Sequence, residues 1–119
     1  MNEQRAIAQT WAESYVKAWR SNDPADIRAV FTEDALYFRT PGDQPWVGIE
    51  AIVAGWQQHP DDPAETRFEW SVQAVDGEVA VIRGVTSYPS EVFDNLWLVR
   101  LAPDGRASEF TDFWNERGH

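Results

Sequence analysis

From Arg67 onward the chain is a succession of strand patterns broken by short turn signals, and this limits its fold more than any other feature. Phe68, Trp70, Val72 and Ala74 alternate with Arg67, Glu69, Ser71 and Gln73, the period of a half-buried strand. Asp76-Gly77 is a strong two-residue hairpin signal. Glu78–Tyr88 follows, apolar on both faces in its first half, and Pro89-Ser90 leads into Glu91–Leu101. Ala102-Pro103-Asp104-Gly105 has Pro second and Gly last, as a type I turn prefers. Arg106–Asn115 then closes the run. Strands joined by such short turns form an antiparallel meander.

Helical patterns precede the meander. Over residues 3–20, Ile7, Trp11, Tyr15 and Trp19 fall at i+4 steps, and Ala8, Ala12 and Ala18 widen that stripe. Asp23-Pro24 stops this helix and starts another, because Asp caps and Pro suits the first helical position. The second helix spans about 24–31 and buries Ile27, Val30 and Phe31. Ala35 to Thr40 reads as a strand, residues 41–45 as a proline-glycine loop, and Ile49 to about Gln58 as a third helix. The loop at 59–63 has two prolines and two like charges and does not continue that helix. The expected fold is α+β, with helices packed on one face of a curved antiparallel sheet and residues 1–119 forming one domain.

Composition excludes several functions. The chain has no cysteine, so thiolate metal sites, disulfides and a cysteine nucleophile are ruled out. Its formal charge is −10 and Lys17 is its single lysine, which argues against nucleic acid and anionic membranes. No apolar run approaches the roughly 20 residues that span a bilayer, and no signal-like segment follows Met1. A soluble cytoplasmic protein is expected. There is no glycine-rich phosphate loop and no nucleophile elbow. His59 lies in an acidic loop without a second histidine nearby, and His119 is terminal, so no metal site is expected. Seven Trp, six Phe and three Tyr exceed what a small core needs, which points to a pocket or an interface. In the last strands Leu96 and Leu98 oppose Trp97 and Val99, and Phe113 opposes Phe110 and Trp114. A second apolar sheet face calls for a cover, so a homodimer packed sheet to sheet is expected.

Several segments together resemble the nuclear transport factor 2-like superfamily, particularly its SnoaL-like members. They are Trp11, Tyr15-Val16-Lys17-Ala18-Trp19, Ser21-Asn22-Asp23, Val30-Phe31-Thr32-Glu33-Asp34-Ala35 and Val47-Gly48. In the second half they are Asp94-Asn95-Leu96-Trp97, Asp104-Gly105-Arg106 and Glu109-Phe110-Thr111-Asp112-Phe113-Trp114. The resemblance implies a cone-shaped, cystatin-like α+β barrel with its helices on the concave face of the sheet, around a pocket for an apolar small molecule. Tyr15 falls where ketosteroid isomerases keep an oxyanion-hole tyrosine, but Arg39 fills the position of their base and Trp97 that of their protonated carboxyl. That activity is rejected, since enolisation needs a base at the α-proton. Arg83 and Asp112 match an arginine and an aspartate of epoxide hydrolases, whereas Val85 replaces their second aspartate. Asp112 also matches the last-strand acid of SnoaL-type cyclases, the least contradicted enzyme reading.

The candidate catalytic residues are therefore Asp112, Tyr15 and Arg83. Trp19, Tyr37, Arg39, Trp56, Asn95, Trp97, Phe110 and Trp114 are the expected lining of the pocket. Trp46 is assigned to a lid or an interface. The plainer role for Asp112 is a structural ion pair with Arg83 or Arg39. The expected function is binding of a small hydrophobic or aromatic ligand, with cofactor-free acid–base turnover by Asp112 of the cyclase, isomerase, dehydratase or hydrolase type. The alternative is a non-catalytic binding or dimerisation scaffold. An open cavity facing an unpaired Asp112 distinguishes the first, and a filled cone with an arginine-bound Asp112 the second.

Overall fold

The computed structural model describes residues 2–58 and 66–117, so the loop expected at 59–63, His59 and His119 lie outside the described residues. The first helix, α1 (Asn2–Ser21), buries Ala8, Trp11, Ala12, Tyr15 and Ala18 along the expected stripe. Ile7 lies at the edge of the stripe and is 43% exposed. The Trp11 indole N–H donates to the Val30 carbonyl at 3.0 Å, tying the helix to the start of the sheet. Asn22 ends α1 in a left-handed conformation, φ 54°, with its N–H on the Ala18 carbonyl. Asp23 accepts from Ala25 N–H at 2.9 Å and caps α2 (Pro24–Arg28).

This second helix is shorter than its sequence pattern. Val30 and Phe31 leave it because the sheet captures them: Ala107 N–H donates to the Val30 carbonyl, and Phe31 already pairs with Ala107. Strand β1 (Phe31–Phe38) therefore begins earlier than expected. A two-residue strand, β2 (Trp46–Val47), was not anticipated and pairs Tyr37 with Trp46. Helix α3 (Ile49–Gln58) follows Gly48, whose φ of +88° suits glycine and whose N–H reaches the Ala35 carbonyl.

The meander comprises β3 (Arg67–Asp76), β4 (Val79–Ser87), β5 (Val92–Leu101) and β6 (Ala107–Glu116), all paired antiparallel in sequence. The sheet has six strands in the order β2-β1-β6-β5-β4-β3, and β1 joins β6 in parallel. It is curved and unclosed, with the helices on its concave side. Irregularities in pairing interrupt β1, β3 and β6, and such bulges bend strands and increase their twist. The one in β3 reverses a local expectation. Beyond Val72 the extra residue shifts the pattern, so Val75 packs on the core while Ala74 is exposed.

The core fills one end of the cone. Phe31, Phe110, Ile27, Ile52, Ile82, Val30 and Val99 are fully buried there. On the convex side, Leu96, Leu98 and Phe113 are each about two-fifths exposed. Among the described residues, no helix is long and apolar enough to cross a membrane.

Candidate functional site

The other end of the cone is open. A cavity of about 240 Å³ lies between the C-terminal halves of α1 and α3 and the concave face of the sheet. From α1 come Tyr15, Val16 and Trp19; from α3, Gly55 and Trp56; from the β1–β2 edge, Tyr37, Arg39 and Trp46. Phe68 of β3, Thr86 of β4, Asn95 and Trp97 of β5, and Asp112 of β6 complete the sheet wall, with Tyr88 just beyond β4.

Alternation on the strands explains the wall. Trp97 pairs with Asp112 and with Ile82, so all three point to the concave side, as do Asn95 and Phe110 two residues away. Phe110 is fully buried under Tyr15, their rings stacked at 5.2 Å, and so it belongs to the core beneath the cavity instead of its lining. Phe68 stacks on Trp97 at 5.0 Å, and this close approach needs Gly84, where any Cβ would run into the Phe68 ring. Trp46 is a wall residue and not a lid: it stacks on Tyr37 at 5.0 Å and lies over Gly55, where a Cβ would again collide.

Among the described residues, Asp112 is the only carboxylate lining the cavity. Thr86 Oγ1 donates to Asn95 Oδ1 at 2.7 Å, which turns the Asn95 amide so that Nδ2 donates to Asp112 Oδ1 at 3.2 Å. Burial pushes the Asp112 carboxyl up to about 6, with Asn95 and the Trp97 indole N–H pulling the other way. The Trp97 N–H is buried and lacks hydrogen-bond geometry with any described residue. Among the described residues no ion pair includes Asp112.

Both expected arginine partners are elsewhere. Arg83 sits at an exposed position of β4, between the inward-facing Ile82 and Gly84, and its charge acts on Asp94. The strand period of two puts it on the convex face, which removes it from the candidate catalytic group. Arg39 does line the cavity mouth, but it pairs with Asp43 at 3.9 Å and lies over the Trp46 ring at 5.3 Å. Tyr15 and Tyr37 share a buried hydroxyl–hydroxyl hydrogen bond of 2.9 Å. Burial chiefly raises the Tyr37 pKa, and the Asp112 charge adds to that, so the Tyr37 phenol stays neutral near pH 7. Trp114 shares the concave face with Asp112 but lies past the cavity, 52% exposed, and does not line it.

Phe68, Thr86 and Tyr88 are site residues that the sequence did not single out, and Trp46, expected as a lid or an interface residue, joins them in the wall. Phe68 and Thr86 carried a usable signal, since both occupy inward positions of their strands. Trp46 carried none, because the two-residue strand that turns it inward exists only through pairing with β1. Among the described residues, no group of three His, Asp or Glu side chains converges.

Residues 12–115 match the family model of the SnoaL-like domain. No curated protein matches the sequence significantly. Among solved structures, an NTF-2 like protein of unknown function from Burkholderia xenovorans LB400 superposes with a TM-score of 0.78 at 14% identity, covering 98% of this chain and 88% of that one. SalBIII, an epoxide hydrolase/cyclase-like enzyme with a role in pyran ring formation in the polyether salinomycin, gives 0.76 at 18% identity over 97% and 95% of the two chains. A steroid delta-isomerase from Pseudomonas aeruginosa gives 0.68 at 15% identity over 92% and 80%. At these identities the likeness is one of fold.

Proposed function

Because the chain belongs to the SnoaL-like domain family, we propose that it binds a small apolar or aromatic molecule in the cone's cavity and transfers protons to or from it through Asp112. The observation that carries this reading is a part-buried carboxylate, unpaired with any arginine, on the wall of a largely aromatic cavity. A carboxyl near 6 is mostly ionised at pH 7 yet basic enough to take a proton from carbon or oxygen. Tyr15 or Tyr37 supplies a hydroxyl to an oxygen on which charge develops. The chemistry is cyclisation, isomerisation, dehydration or hydrolysis, and it needs no cofactor. An open cavity and an Asp112 without an arginine partner support this reading over the non-catalytic scaffold, which a filled cone and an arginine-bound Asp112 would favour.

A tryptophan-fluorescence and thermal-shift screen against polycyclic ketones, terpenoid epoxides, steroids and aromatic acids tests the proposal. A ligand that quenches Trp fluorescence and raises the melting temperature establishes binding. Conversion by the wild type, with Asp112→Asn binding the same ligand but losing about a hundredfold or more in rate, establishes the base. Binding without conversion leaves the domain a ligand carrier.

A second proposal concerns assembly. Leu96, Leu98 and Phe113 form an apolar patch on the convex face, and we propose that a second copy covers it in a homodimer, leaving both cavities open on the far sides. The acidic, cysteine-free sequence suits a protein of the cytoplasm.

A further inference from the structure

The cavity is small for the family of ligands it would take. At about 240 Å³ it lies below the roughly 300–1,000 Å³ of pockets that enclose drug-sized molecules. A larger ligand must extend beyond it, and the open direction is along the concave face of the sheet.

That face carries a second group of aromatic rings. Tyr88 lines the cavity and meets Phe93 edge to face at 5.8 Å, and Phe93 meets Trp114 edge to face at 5.6 Å. Register puts them on the same side as the site. Phe93 is directly opposite Thr86, and Trp114 is directly opposite Asn95, so each outer ring neighbours a residue that lines the cavity. Trp114 is 52% exposed on this face. Packing does not account for a half-exposed tryptophan at the mouth of an aromatic cavity. The proposed dimer does not cover it either, because that interface uses the opposite face of the sheet. The carboxylate of Glu116, opposite Phe93, adds to that of Asp112 and disfavours an anionic group at this end.

We propose that Tyr88, Phe93 and Trp114 form a shelf continuous with the cavity, on which the distal ring of a flat, neutral ligand lies while its polar end meets Asp112. The inference rests on the ligand-binding reading of the cavity. It makes Trp114 a specificity residue that selects ligands by length and takes no part in proton transfer.

Two aryl alcohols of increasing length, 2-naphthol and 2-anthrol, test it by calorimetric titration of the wild type, Trp114→Ala and Trp114→Phe. The shelf predicts that Trp114→Ala weakens 2-anthrol by about two- to tenfold, the range of one aromatic contact, while 2-naphthol stays within about twofold. Trp114→Phe restores most of the loss, and the melting temperatures of the free proteins stay close together. Equal affinities of wild type and Trp114→Ala for both probes overturn the shelf and leave the cavity reading standing. Equal weakening of both probes also overturns it, by making Trp114 structural. If neither probe binds the wild type, the cavity reading fails and the shelf with it.

Discussion

At the scale of single residues, Asp112 is held in a setting that costs stability. Its carboxyl is pushed up to about 6 from an ordinary 3.8, so between those values the folded state holds more protons than the unfolded one. Its contribution to stability is therefore greatest below pH 4 and is lost as pH rises through 6, by up to about 3 kcal/mol. Asp112→Asn removes this cost while keeping the shape and the contact with Asn95. The variant is expected to melt higher than the wild type at pH 8, with the two curves converging towards pH 4. Equal melting temperatures across that range would mean that Asp112 titrates as an ordinary surface carboxylate. Gaining stability while losing turnover is what a group kept for chemistry should do. An inert ion pair would give the opposite sign.

Elements meet closely at two glycines, and both contacts build the site. Gly84 lets the Phe68 ring lie across β4 and stack on Trp97, and Gly55 lets Trp46 close against α3. Gly84→Ala must displace Phe68, an overpacking change expected to cost about 1–3 kcal/mol in a urea titration. Because Phe68 is also cavity wall, the same variant should alter ligand affinity even where the fold persists. A variant with unchanged stability and binding would show that the strand moves away without loss. Helix length tells a related story. The pattern of α2 continued to Phe31, but pairing of Phe31 with Ala107 drew those residues into the sheet. Local propensity is the weaker influence when an aromatic residue can join a buried strand.

For the whole molecule the open question is what covers the convex face. With Leu96, Leu98 and Phe113 exposed in the middle of β5 and β6, the wild type is expected to sediment near twice 13.6 kDa at micromolar concentration. Leu98→Glu puts a charge in the centre of that patch and should shift the protein to the monomer mass with its circular dichroism unchanged. A monomeric wild type would sink the proposed dimer. A stable interface buries roughly 800 Å² on each partner, more than these three side chains provide, so neighbouring strand residues must take part.

Much of the architecture followed from the sequence alone, because periodicity is a local property. The amphipathic stripe of α1, the bounds of α3 and the four strands of the meander were written in alternation, caps and turn residues. The same alternation brought Asp112, Asn95 and Trp97 to one face, and the resemblance to a known family added Tyr15. Partnership was a different matter. Whether an arginine would meet Asp112 depended on which face Arg83 took and on how far Asp43 drew Arg39 aside, and both are set by long-range packing. The inward turn of Trp46, the register shift in β3 and the space left at one end of the cone have the same origin. A sequence specifies which surfaces are apolar, but the volume left between them is fixed only when sheet curvature and helix position are settled together.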